Sequence, residues 1–110
     1  AFPLWLAPVQ LRLLSISDKL NDFTESVYQK FHQAGIRVEK DVRNESLGKK
    51  LREGRLMRIP YLAIMGYKEM ENNQLTIRNR ETGEQQTYDI DHVINTLILD
   101  DKKKNLELSL

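Results

Sequence analysis

A single α/β domain, with a small mixed sheet sandwiched between helices, is predicted by three features of the sequence. Segments of period two and of period three to four take turns along the first half of the chain. A short apolar run, YLAIM at residues 61–65, lies between Pro60 and Gly66, as a strand covered on both faces does. The length, 110 residues with 40% of them hydrophobic, suits one domain with one core.

The elements follow in order. Residues 8–14 (PVQLRLL) alternate, with Val9, Leu11 and Leu13 on one face and Gln10 and Arg12 on the other, so they read as a strand. Ser17 or Asp18 offers an N-cap. Leu20, Phe23, Val27, Phe31 and Ala34 then recur at three- and four-residue steps as an amphipathic helix, which Gly35 ends by entering the left-handed region. Residues 36–40 (IRVEK) alternate as a second, more exposed strand. After the loop at Arg43-Asn44, a second helix buries Leu47, Leu51 and Gly54, with Lys49, Lys50, Arg52, Arg55 and Arg58 around them. Pro60 stops it, because it drives Ile59 out of helical geometry. Residues 61–65 are the central strand, and a polar loop with an Asn72-Asn73 turn leads to an alternating strand at 75–80 (LTIRNR). Thr82-Gly83 marks another turn before a weak strand near 86–88. Asp89 or Asp91 caps a last helix carrying Val93, Ile94, Leu97 and Ile98, and its acidic start matches the helix dipole. Residues 100–105 (DDKKKN) are expected to fray. The resulting order, β-α-β-α-β-β-β-α, implies parallel strands with right-handed crossovers and one antiparallel hairpin.

Composition removes several classes of function. There are 17 Lys and Arg against 16 Asp and Glu, so the net charge is +1 and a polycation is excluded. There is no Cys, hence no disulfide, no thiolate zinc site and no cysteine nucleophile. His32 and His92 have no ligand-spaced partner and read as surface residues, so no metal site is expected. Residues 9–17 contain no glycine, which removes a phosphate loop after the first strand, and no G-x-S-x-G elbow occurs. No catalytic residue is therefore assigned, and the carboxylate pairs Asp100-Asp101 and Glu69/Glu71 read as solvated charge, Glu69 excepted. No apolar run approaches the roughly 20 residues that cross a bilayer. Residues 2–8 are too short for a signal core and lack a basic leader. The chain opens on Ala1 in an apolar segment, and the expectation is a piece of a longer or processed protein.

The basic feature is local. Between Arg37 and Arg58 there are eight Lys or Arg and four Asp or Glu. A charge run is ordinarily a solvated face. Here it surrounds a helix start, and Arg78 and Arg80 project from a strand beside a polar loop. Positive charge beside hydrogen-bonding side chains is the pattern of a nucleic-acid reader, and single-stranded RNA exposes base edges to Asn, Glu and Arg. Tyr67 is the stacking candidate, while Tyr61 and Trp5 read as packing residues.

The motifs that follow one another are FPLWLAPVQ (residues 2–10), AGIRV (34–38), DVRNE (41–45), GKKLRE (48–53), IPY (59–61), MGYKEME (65–71) and LTIRNR (75–80). In that order they resemble the C-terminal anticodon-binding domain of the threonyl-tRNA synthetases, a class II aminoacyl-tRNA ligase family. The resemblance runs from Phe2 to about Leu97. The synthetases for proline, glycine and histidine share the fold with a looser pattern. It implies a three-layer α/β/α domain with a five-stranded mixed sheet and three helices. It implies a division into a linker at 1–7 from a catalytic domain outside this chain, the anticodon-binding domain at 8–100, and a charged tail at 101–110.

The resemblance also implies the role: reading the anticodon loop of threonine tRNA, with its central G and third-position U. Three positions carry it here, Asn44, Glu69 and Arg78, with Arg43, Lys49, Lys50, Arg52, Arg55, Tyr67 and Arg80 as supporting RNA contacts. A carboxylate accepts from the N1 and N2 hydrogens of G, a guanidinium suits the carbonyl oxygens of U, and an amide serves a mixed edge. Tyr67 stands where the family usually has an acidic residue, Lys49 where an aromatic is common, and Ser46 where Lys is frequent. By the resemblance the parent is an ATP-dependent threonine–tRNA ligase. Its ATP, Mg and Zn belong to the catalytic domain, leaving this chain non-catalytic and without a cofactor. It implies a cytoplasmic homodimeric parent, a monomeric fragment, and tRNA and the catalytic domain as partners, with no membrane. The alternatives are a protein-interaction or regulatory domain that kept the fold, and a small flavodoxin-like enzyme.

Overall fold

A computed structural model of the chain describes residues 4–103 and 109–110. Five strands, β1 (Leu11–Ser15), β2 (Val38–Asp41), β3 (Tyr61–Met65), β4 (Gln74–Asn79) and β5 (Gln85–Asp89), form one sheet in the order β2-β1-β3-β4-β5. β1 runs parallel to β2 and β3, whereas β4 is antiparallel to β3 and to β5. The helices are α1 (Asn21–Gln33), α2 (Leu47–Leu56), α3 (Tyr67–Asn72) and α4 (Ile90–Lys103). The mixed sheet and the three long helices are those expected.

Local chemistry explains the boundaries. Ser17 Oγ accepts from the Lys19 N–H and opens a 3-10 turn, Asp18–Leu20, that leads into α1. Gly35 follows α1 with φ +83°, a conformation that costs glycine little. Ser46 caps α2, its Oγ accepting from the Lys49 N–H at 3.2 Å. Gly54 lets α2 lie against β3, since a Cβ there would stand 2.6 Å from Leu62 Cδ2.

The two faces of the sheet are covered unequally. One carries Leu11, Leu13, Tyr61, Ala63, Met65, Leu75 and Ile77, which pack with Val27 and Phe31 of α1 and Val93 and Leu97 of α4. On the other, Leu14 and Leu62 pack with Ile59 and, from α2, Leu47 and Leu51. There α2 lies over β1 and β3 and reaches the end of β2, but it leaves β4 and β5 uncovered. In β4, Leu75, Ile77 and Asn79 are buried, while Gln74, Thr76 and Arg78 are half-exposed, and β5 is exposed except at Tyr88. The third layer is therefore half built, and the open half is lined by hydrogen-bonding side chains.

Four expectations are corrected. The polar loop after β3 contains α3, whose first turn is fastened by Glu69 Oε1 accepting from the Gly66 N–H at 3.0 Å. Val9 does not share the face of Leu11 and Leu13 but packs against the cluster of Leu14, Ile59 and Leu62, and Gln10 and Arg12 are both buried, Arg12 pairing with Glu39 and Asp41. Lys50 does not surround the apolar stripe of α2 but lies within it, 2% exposed. The last helix does not fray at Asp100, which is buried, and α4 continues to Lys103. Residues 104–105 of that predicted frayed stretch lie outside the described residues. Beyond them, Leu110 packs back on the core, its N–H donating to Tyr61 Oη while Asn79 Nδ2 donates to its carbonyl.

At the other end, Leu4 and Ala7 are buried. Arg37 holds this segment, donating to the carbonyls of Ala7 at 2.8 Å and Trp5 at 3.1 Å. Among the described residues no helix is long and apolar enough to cross a membrane.

Candidate nucleic-acid interface

Asn44 and Glu69 sit beyond the C-terminal ends of the parallel strands, Asn44 in the β2–α2 loop and Glu69 in α3. Asn44 is exposed, and its side chain makes no hydrogen bond among the described residues, because Ser46 has taken the capping role. Glu69 has a structural task already, at the Gly66 N–H, which engages one carboxylate oxygen.

Arg78 stands lower on the sheet. It is in register with Leu62, four residues before Gly66, so roughly 13 Å of strand separates its level from the start of α3. It forms no ion pair with Glu69 or Glu71, and its one polar contact among the described residues is a long one, 3.5 Å to Gln85 Oε1. The side chains of the trio are thus not in mutual contact. Two occupy the strand-end edge and one the open face.

Arg78 does meet other predicted residues. A cleft of about 530 Å³ between α2 and the β4–β5 turn is lined by Arg52, Arg55, Arg78 and Arg80. A second, of about 510 Å³, shares Arg52, Arg55 and Arg80 and adds Leu56 and Arg58. Arg58 belongs to the basic run but not to the candidate contacts. The signal for it is its place in the same basic run, three residues after Arg55 and just past the end of α2. Its φ of 59° places a non-glycine residue in the left-handed region, at a cost of about 1–2 kcal/mol. The far wall is shaped by Asn79, whose Oδ1 accepts from the N–H groups of Glu81 and Thr82. Thr82-Gly83 marks that turn in the sequence without giving it a role.

The remaining candidates have other duties. Lys50 Nζ donates to the carbonyls of Ser15 at 2.8 Å and Asp41 at 3.2 Å, so it offers nothing to a ligand at the surface. Burial lowers its pKa. Arg43 is engaged with Asp41 and Glu53. The Arg43 guanidinium, helped by the Arg43 N–H and the charge of Arg12, pulls the buried Asp41 carboxyl down to about 2. Lys49 pairs with Glu45 at 3.3 Å. Tyr67 is exposed at the start of α3, its hydroxyl 3.3 Å from Ser17 Oγ. Each histidine lies exposed against a tyrosine, and no cluster of metal-ligating side chains exists among the described residues.

Residues 10–99 fit the family described as the anticodon binding domain. The chain belongs to the anticodon-binding domain family. This anticodon-binding domain is 43% identical over 98 residues to threonine–tRNA ligase of Clostridium botulinum (strain Eklund 17B / Type B), covering 89% of the chain and 15% of that protein. Over 106 residues it is 42% identical to threonine–tRNA ligase of Syntrophomonas wolfei, covering 96% of the chain and 17% of the relative. The chain thus spans about a sixth of the length of these relatives. The RNA-binding domain of threonyl-tRNA synthetase from Cryptosporidium parvum superposes with a TM-score of 0.83 at 30% identity, over 97% of this chain and 26% of that one. Histidyl-tRNA synthetase from Nostoc shares the fold, with a TM-score of 0.78 at 22% identity over 84% of this chain and 22% of that one.

Proposed function

We propose that this anticodon-binding domain is the anticodon-reading module of a threonine–tRNA ligase. Its half-covered sheet face supports the reading, because amide side chains and arginines with no ion pair among the described residues lie open there beside a strand-end edge carrying Asn44 and Glu69. In this reading Glu69 accepts from the N1 and N2 hydrogens of the central G, Arg78 donates to the carbonyl oxygens of the third-position U, and Asn44 serves a mixed edge. A wrong base leaves a polar group unpaired. The parent, a cytoplasmic homodimer, joins threonine to its tRNA at the expense of ATP. Its Mg and Zn are held in the catalytic domain, and this chain binds the tRNA as a monomer with no cofactor of its own.

The test is equilibrium binding of the chain to a threonine anticodon stem-loop and to the same loop with the central G changed to A. By analogy with base readout in DNA, the change is expected to weaken binding by about 5- to 150-fold, and both affinities should fall as salt rises. Equal affinity for the two loops removes the proposed reading.

A further inference from the structure

The two adjoining clefts pose a problem that base reading does not answer. Arg52, Arg55, Arg58 and Arg80 surround them, and none makes an ion pair among the described residues. The other paired cations, such as Arg12, Lys30, Lys40, Arg43 and Lys49, each have a carboxylate within reach. Among the described residues, Glu81 is the only carboxylate on either lining. Arg80 is half-buried, and its Nε is shielded from water without a hydrogen-bond partner among the described residues. Arg58 keeps a bulky side chain where glycine would sit with less strain. Like charges held in a concavity without counterions repel one another, so the free domain gains nothing from them. A ligand with repeated negative charge would. The guanidinium fork matches a phosphate with two parallel hydrogen bonds, and Arg is favoured over Lys where that geometry matters.

We propose that the paired clefts form a phosphate track, in which Arg52, Arg55, Arg58 and Arg80 hold the phosphodiester backbone of the strand whose base faces Arg78. This rests on the anticodon-reading function and extends it, by assigning affinity and base choice to separate residues. The cleft arginines supply binding that is blind to sequence, while Asn44, Glu69 and Arg78 supply the choice.

The experiment measures affinity for the threonine stem-loop and its central-A counterpart across a salt series. In R55Q/R80Q both loops are expected to weaken by the same factor, and the slope of log K against log salt should flatten by about 0.7 for each phosphate left without its arginine. R55K/R80K should restore most of the slope. If Arg80 proves necessary for folding, R52Q/R55Q carries the same test from two exposed helix positions. Arg58→Gly adds a separate reading: it should melt at a higher temperature yet show a flatter slope. An unchanged slope in the Gln variants, or a loss confined to the loop with central G, overturns the track. If the unaltered chain binds neither loop, anticodon reading is what fails. Titration with inorganic phosphate, followed by backbone amide NMR shifts, then decides the track alone. Shifts at Arg55 and Arg80 that vanish in R55Q/R80Q would support it with free phosphate as the ligand, and no shifts would overturn it.

Discussion

Replacing Asp41 with Ala is expected to lower the free energy of unfolding by about 3 kcal/mol, because a buried charge cluster loses its centre. The Asp41 side chain is fully buried and accepts from Arg12 at 3.2 Å and from Arg43 at 2.8 Å. Its removal strands Arg12, whose side chain is only 11% exposed, with Glu39 as the remaining partner. Glu39 keeps the loss toward the lower end of what breaking a buried pair costs. Urea denaturation of the two proteins measures the difference, and a change within about 0.5 kcal/mol, the ordinary scale of a surface substitution, would show the cluster to be unimportant. The same group predicts an acid limb. Its folded pKa, about 2, lies below the usual carboxylate value, so its contribution is complete above about pH 4 and is lost as pH falls through about 2. Unfolding free energy should therefore drop by roughly 2 kcal/mol across that window in the unaltered chain and stay flatter in Asp41→Asn. The loop that carries Asn44 begins at this cluster, so Asp41 variants should also lose RNA affinity.

Exchanging Glu69 for Gln should cost the preference for a central G, about 5- to 150-fold in relative affinity, with little change in stability. Gln keeps an oxygen that can accept from the Gly66 N–H, so the first turn of α3 stays fastened. It replaces the other acceptor with a donor, which in the proposed complex would face the N1 and N2 hydrogens of G as donor against donor. Glu69→Ala removes both functions and should lower the melting temperature as well as the discrimination. Retained preference in the Gln variant would return Glu69 to a purely capping role. Loss of affinity only in the Ala variant, in step with melting, would say the same.

Much of this architecture is legible in the residues alone. The apolar stretch of β3, the three- and four-residue rhythm of α1 and the glycine after it each belong to a single element. What escapes is decided by neighbours distant in the chain. Lys50 falls three residues after Leu47 and four before Gly54, so helical geometry places it on the buried stripe, and only its charge argues otherwise. Two carbonyls at the ends of β1 and β2 settle the conflict. Arg12 alternates correctly with Leu11 and Leu13, but its face is roofed by α2, and Asp41 on the adjoining strand makes burial tolerable. α3 is six residues long, too brief to display a period. For the site, the paired spacings of Arg52 with Arg55 and of Arg78 with Arg80 are visible. Their meeting across a cleft depends on β4 lying beside β3 in antiparallel register. Asn44 and Glu69 are legible only through resemblance, since nothing in spacing distinguishes them from other polar loop residues.

Lys49 and Lys50 are adjacent in the chain but live in different chemical worlds. An acyl-transfer reagent in water should find the amine of Lys49 and pass over that of Lys50, which has surrendered its hydration to two peptide oxygens. Peptide mapping after brief acetylation of the native chain would show one modified and one intact lysine side by side. Equal labelling would mean that the joint between α2 and the sheet opens far more often than its packing allows.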